Sequence, residues 1–145
     1  MRSFFQKSLE HLDSVDQFVR EQGVLEGDGS FVKVDVSGLY MIRGDVLRRN
    51  REIHKAHTAL NIVQGSLPKE FTRWQGNLHL STSQLFLAEG DVANSCQQMH
   101  NALDLFLATG SRSGLAKTQR IYRAVQNVEP ARSDVKELGM RLGIL

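Results

Sequence analysis

Apolar residues recur at three- and four-residue intervals along most of the chain, the spacing of an amphipathic helix rather than a strand. Phe5, Leu9, Leu12, Val15 and Val19 mark a first helix over residues 3–22, opened by a Ser3–Gln6 capping-box pattern. Gly23, Gly27 and Gly29 bracket a loop. Phe31, Val32, Val34 and Val36 are strand-like by propensity, while Ser30 can cap a helix running to Arg43. The helix is preferred because of the repeat described below. Gly44-Asp45 reads as a turn followed by an N-cap. The helix after it then carries Val46, Asn50, Ile53, His57 and Leu60 on one face, until Gly65-Ser66-Leu67-Pro68 breaks it. Phe71, Trp74, Leu78 and Leu85 mark a long fourth helix, and Gly90-Asp91 is a second turn and cap. Val92, Cys96, Met99, Leu103 and Phe106 form the stripe of the fifth, which Gly110-Ser111 ends. Leu115, Ile121, Tyr122, Val125 and Val128 mark a sixth, and Val135, Leu138 and Leu142 a short seventh. Pro68 and Pro130 are placed at helix starts, where the missing N–H costs nothing. The pattern predicts an all-α chain of about seven helices, folded as a single domain over residues 1–145.

Two of these segments resemble each other. A shift of 46 residues brings Ser37 onto Ser83, Tyr40 onto Phe86, Gly44-Asp45-Val46 onto Gly90-Asp91-Val92, Ile53-His54 onto Met99-His100 and Ala56 onto Ala102. Small residues let two helices approach, glycine tolerates a tight turn, and aspartate caps the returning helix. One such pair cannot bury its apolar face alone, so pairs are expected to stack.

Ser83, Phe86, Gly90-Asp91, Val92, Ser95, Met99 and Ala102-Leu103 resemble the tetratricopeptide repeat. Across Ser37 to Ala56 the likeness is weaker, with Arg49 at a small-residue position and His57 in place of a leucine. The resemblance is greatest to the TPR-like helical regions of multidomain bacterial transcriptional regulators, and residues 81–142 carry most of it. It implies an antiparallel helix-pair solenoid, a regulatory role in binding a protein or peptide, and a chain that is either free-standing or a ligand-sensing piece of a longer regulator. No chemistry and no cofactor are implied.

The 145 residues are 41% hydrophobic and 23% charged, the balance of a folded globular chain, with a net charge of +2. That charge is too mild to argue nucleic-acid binding by itself. One cysteine, Cys96, excludes an intrachain disulfide and reads as a small hydrophobe on an apolar stripe. No stretch approaches the ~20 apolar residues of a membrane span, and Lys7, Glu10 and Asp13 interrupt any signal-peptide core. A cytoplasmic location is the resulting default.

The phosphate-binding glycine motifs, HExxH and Gly-x-Ser-x-Gly are missing, which lowers the expectation of an enzyme. His54 and His57 lie three apart on one helix but lack a third ligand at metal-site spacing. Arg43, Arg48, Arg49, Arg51 and Lys55 form one basic cluster; Arg112, Lys117, Arg120 and Arg123 form another. Each can meet phosphates or an acidic partner, although a solvated helix face is the commoner use. Nucleic acid is therefore the second-ranked partner, and a homodimer through exposed helix faces is compatible with either. Arg73, Asn77, Ser81 and Gln84 recur at i, i+4, i+8 and i+11 on the fourth helix. In TPR-like folds the first helix of each pair lines a groove, where such groups hydrogen-bond a peptide. Leu80, Leu87 and Met41 are expected to supply its apolar contacts.

Overall fold

The computed structural model describes residues 5–14, 17 and 29–144, all of them helix or short connection. The helices are α1 (5–14), α2 (Gly29–Arg49), α3 (Ile53–Ser66), α4 (Thr72–Ala88), α5 (Val92–Thr109), α6 (Arg112–Val128) and α7 (Ser133–Arg141). No strand occurs among the described residues, and no described helix is long and apolar enough to cross a membrane. Ser3, Val15, Val19, Gly23 and Gly27 lie outside the described residues. Where one domain is expected, the chain divides into two compact units, Met1–Leu67 and Pro68–Leu145.

The corners explain how the helices stop and restart. At Gly90, φ is +81°; its N–H bonds to Leu87 O at 3.0 Å, and the Asp91 N–H to Phe86 O at 2.9 Å. This is the Schellman arrangement, in which a left-handed residue lets two N–H groups reach back to the last free carbonyls. Gly110 repeats it at φ +65°, with the Ser111 N–H on Phe106 O. Asp91 and Ser111 then each cap the following helix, accepting from the backbone N–H of Asn94 (3.1 Å) and Gly114 (3.2 Å). One residue thus closes one helix and opens the next, which confines each link to two or three residues.

The corresponding corner of the first unit is not at Gly44-Asp45. Those two residues lie inside the continuous helix α2, which also absorbs Val46. The break comes at Asn50–Glu52, where Arg51 adopts φ +62°, with its N–H on Arg48 O and the Glu52 N–H on Leu47 O. Gly44 serves a different purpose. A Cβ there would lie 2.7 Å from the Leu60 side chain, so its lack of one lets α3 pack against α2. Pro68 and Pro130 also sit in the connections, ahead of the helices beginning at Thr72 and Ser133, rather than in their first turns.

Moving the corner changes the repeat register. Arg51 and Gly90 are the equivalent left-handed residues, 39 positions apart rather than 46. The same shift pairs Ser37 with Gly76, Met41 with Leu80, Gly44 with Ser83, Ala56 with Ser95, Leu60 with Met99 and Val63 with Ala102, and every member is buried. In the second unit the small residues engage directly. The Ser83 hydroxyl donates to Ser95 O at 3.0 Å and the Ser95 hydroxyl to Ser83 O at 2.9 Å, both fully buried. Gly44 and Ala56 occupy the same places without hydroxyls.

In the first unit α2 and α3 form a hairpin, and Arg43 ion-pairs with Asp13 of α1. In the second, α4 and α5 form a hairpin, α6 packs on both, and α7 packs on α5 and α6. Its core joins Leu80, Val92, Cys96, Met99, Leu103, Phe106, Tyr122, Val125, Val135 and Leu138. The Phe106 ring sits where a Cβ on Gly76 of α4 would come within 2.6 Å, and one on Gly114 of α6 closer still.

Gly114→Ala is expected to cost about 1–3 kcal/mol by overpacking, although alanine is the better helix former. In a Phe106→Ala background the same change becomes neutral or stabilising by up to about 1 kcal/mol. Denaturant unfolding of the four proteins in this cycle is the check, and an equal cost in both backgrounds would show that the ring does not set the helix spacing. At the first corner, Arg51→Gly is expected to raise stability by about 0.5–1 kcal/mol, because glycine takes a positive φ without a Cβ penalty. Thermal unfolding tests it; a fall in the midpoint would mean that the arginine side chain matters more than its backbone strain.

Candidate functional site

Helix α4 has two buried faces. Gly76, Leu80 and Ser83 lie on one, Leu78, Ser81 and Leu85 on the other. Arg73, Asn77 and Gln84 remain on the strip between them, Arg73 exposed and the other two half-buried. The expected polar line at i, i+4 and i+11 is therefore present, but its fourth member is not, since Ser81 is 7% exposed. The apolar contacts also differ. Leu80 is 4% exposed and belongs to the core of the second unit, and Met41 on α2 is 8% exposed. Both side chains are occupied by packing. Leu87, half-buried at the margin of that core, is the apolar group beside the polar strip.

The structure holds the strip in place from behind. The Ser83–Ser95 exchange ties α4 to α5, and His79 Nδ1 donates to Gln98 Oε1 across the same hairpin at 2.7 Å. At the start of α4, Gln75 Nε2 donates to Pro68 O at 3.3 Å. Arginine, asparagine and glutamine on such a face supply donors for carbonyls and carboxylates, and the two amides also supply acceptors for N–H groups.

The Arg43–Arg51 cluster does not act as one patch. Arg43 pairs with Asp13 and lies over the Tyr40 ring, 5.3 Å from its centroid. Arg48 lies 3.8 Å from Asp45, and its buried Nε has no hydrogen-bond partner among the described residues. Burial pushes the Asp45 carboxyl above its ordinary range, opposed by Arg48 and Arg49, and the same desolvation lowers Arg48. Arg49 and Arg51 remain exposed, and Lys55 lies 4.0 Å from Glu52. On α6, by contrast, Arg112, Lys117, Arg120 and Arg123 are all exposed.

A polar cleft between α5 and α7 was not apparent from the sequence. It encloses about 530 Å³, with Asn94, Gln97, His100, Asp134 and Glu137 around Cys96. The signal was the i, i+3, i+6 spacing of Asn94, Gln97 and His100, which identifies one face of α5 but not that α7 lies beside it. Arg141 of α7 closes one end, donating to His100 Nδ1 and His100 O and ion-pairing with Asp104. Arg132 holds Asp134 at 2.8 Å. Among the described residues no group of three or more His, Cys, Asp or Glu side chains is placed to hold a metal; on α3, His54 is exposed and His57 half-buried.

Cys96 is 1% exposed, and burial, reinforced by the negative charge of Asp134, pushes its thiol up to about 11. A thiol raised this far is neutral at physiological pH and is not a nucleophile. Comparison with protein families, curated proteins and solved structures finds no match.

Cys96 is expected to react with a thiol reagent at neutral pH at least about a hundred-fold more slowly in the native protein than in denaturant. Colorimetric thiol titration with and without denaturant measures this, and rapid native labelling would show that the thiol is accessible and ionised.

Proposed function

We propose that this chain is a non-catalytic, TPR-like module that binds a protein or peptide, and that the strip of α4 formed by Arg73, Asn77 and Gln84 makes the contact. The observation that carries the reading is a helix packed on two faces that still keeps three hydrogen-bonding side chains aligned and accessible. A peptide main chain carries alternating donors and acceptors, which such side chains match, and a carboxylate suits Arg73. Leu87 offers an apolar edge for an anchoring side chain.

The repeat register supports the family likeness. In both units a small residue (Gly44 or Ser83) is followed, three positions on, by a large one (Leu47 or Phe86). A left-handed corner comes next (Arg51 or Gly90), then a second small residue (Ala56 or Ser95), and four positions on a large apolar one (Leu60 or Met99). That order resembles the tetratricopeptide order of glycine, aromatic, alanine and aromatic, with Leu47, Leu60 and Met99 standing where the family has aromatic rings.

The test begins with peptides selected on the full-length protein from a random displayed library. Arg73→Ala and Asn77→Ala are each expected to weaken the selected peptides about ten-fold, roughly 1.4 kcal/mol, with the thermal midpoint nearly unchanged. Calorimetric titration and thermal unfolding give the two readouts. A large fall in stability would make these residues structural, and unchanged affinity would remove the strip from the interface.

A further inference from the structure

The second basic run, Arg112, Lys117, Arg120 and Arg123, is not used by the reading above, and the fold gives it a distinct setting. All four lie on α6, which contains no acidic residue. Gly114, Thr118, Tyr122 and Val125 fill its buried face. Its exposed face consists of the four cations with Ser113, Ala116, Ala124, Asn127 and, at the far end, Val128. Elsewhere Arg43, Arg48, Lys55, Arg132 and Arg141 each have a carboxylate within 4.0 Å. The four on α6, like the more scattered Arg49, Arg51, Lys69, Arg73 and Lys136, have none among the described residues.

The arrangement works against the helix that carries it. Lys117, Arg120 and Arg123 follow at i, i+3 and i+6, so neighbouring like charges repel. Arg112 occupies the first turn, where the helix dipole is already positive and no acidic residue offsets it. Local rules broken without local compensation are characteristic of functional surfaces.

We infer that the exposed face of α6 docks a short acidic polypeptide segment. Charge complementarity selects an anionic occupant, and the small residues Ser113, Ala116 and Ala124 let it approach the helix closely. The extent of the basic face selects a short one. Arg112 to Arg123 spans about 16 Å of helix, and the next charged residue along the chain is exposed Glu129, of opposite sign. A long phosphate backbone would extend past the four cations, whereas an acidic segment of matching length does not. The face also exposes no aromatic ring on which a nucleobase can stack. This surface is separate from the α4 strip, so either assignment can fail without the other.

The full-length protein is titrated into a labelled peptide of about 16 residues carrying four glutamates at intervals of three, three and five residues, in about 150 mM salt. Fluorescence anisotropy is expected to show saturable binding that weakens as salt rises. Arg120→Glu with Arg123→Glu weakens it at least about ten-fold with no loss in thermal midpoint, because the change relieves like-charge repulsion, and Lys69→Glu, at an exposed position outside both strips, leaves it unaltered. If the glutamate variant melts early, Arg120→Gln with Arg123→Gln gives the same comparison with the helix intact. Absence of saturable binding, binding indifferent to either double change, or tighter binding of a DNA duplex of equal charge overturns the inference. So does self-association, seen by sedimentation, that the Arg120→Glu change abolishes, since the occupant is then a second copy of this chain.

Discussion

The second unit is organised around one aromatic ring that fits only because two glycines make room for it. Phe106 of α5 is 1% exposed and lies against Gly76 of α4 and Gly114 of α6. Three helices thus meet at a single side chain, and the spacing of α4 and α6 is set by the ring rather than by side chains of their own. Close-packed interiors tolerate neither a void nor an added methyl at such a point. Thr118, one turn after Gly114, donates its hydroxyl to Gly114 O at 2.8 Å and so needs no partner from another helix. Tyr122, one turn further, is fully buried, and its hydroxyl has no hydrogen-bond partner among the described residues. Burying a hydroxyl in this way carries a desolvation cost, so it is the ring that earns Tyr122 its place in the core.

The corners show how far such a fold can be read from residues alone. Gly90-Asp91 and Gly110-Ser111 are legible because each residue performs the chemistry for which it is known: glycine takes the left-handed φ and the polar residue caps the next helix. Gly44-Asp45 has the same letters and neither role. Gly44 is selected for its missing side chain beside Leu60, and the left-handed residue of that hairpin is Arg51, a type that carries no turn signal. The error moved the repeat from 39 to 46 residues, because aligning glycines aligned a packing position with a turn. Helix count, helix type and the apolar stripe of α5 survived, since they depend on periodicity over many residues rather than on one glycine.

The candidate site was partly legible for the same reason. A polar line at i, i+4 and i+11 follows from helical geometry alone, and Arg73, Asn77 and Gln84 keep it. Which neighbours stay free depends on what packs against the helix. Leu80 and Ser81 were expected to face a groove, yet they fall on the two buried faces of α4, because a helix enclosed on two sides leaves only a narrow strip. The basic clusters behave likewise. Spacing placed Arg43 and Arg48 together, but Asp13, more than two dozen residues away, and Asp45, within the same helix, engage them separately.

In α4 and α6 the buried faces carry the packing, and the remaining strips are polar or charged. Gly76 and Gly114 touch the same ring, so the outer strips of α4 and α6 belong to one packed body. A partner meeting either strip finds side chains rooted on helices that are already fixed, and only the side-chain rotamers are left to order on binding. The two strips differ in chemistry. The one on α4 carries a single cation and two amides, suited to the dipoles of a main chain, whereas the one on α6 carries only positive charge among small residues, suited to carboxylates. A solvated surface needs neither arrangement: a helix kept only for its buried face gains by mixing acids among its bases, as α7 does with Asp134, Lys136, Glu137 and Arg141. The omission of every acid from α6 is therefore a property of its outer face, and packing does not account for it.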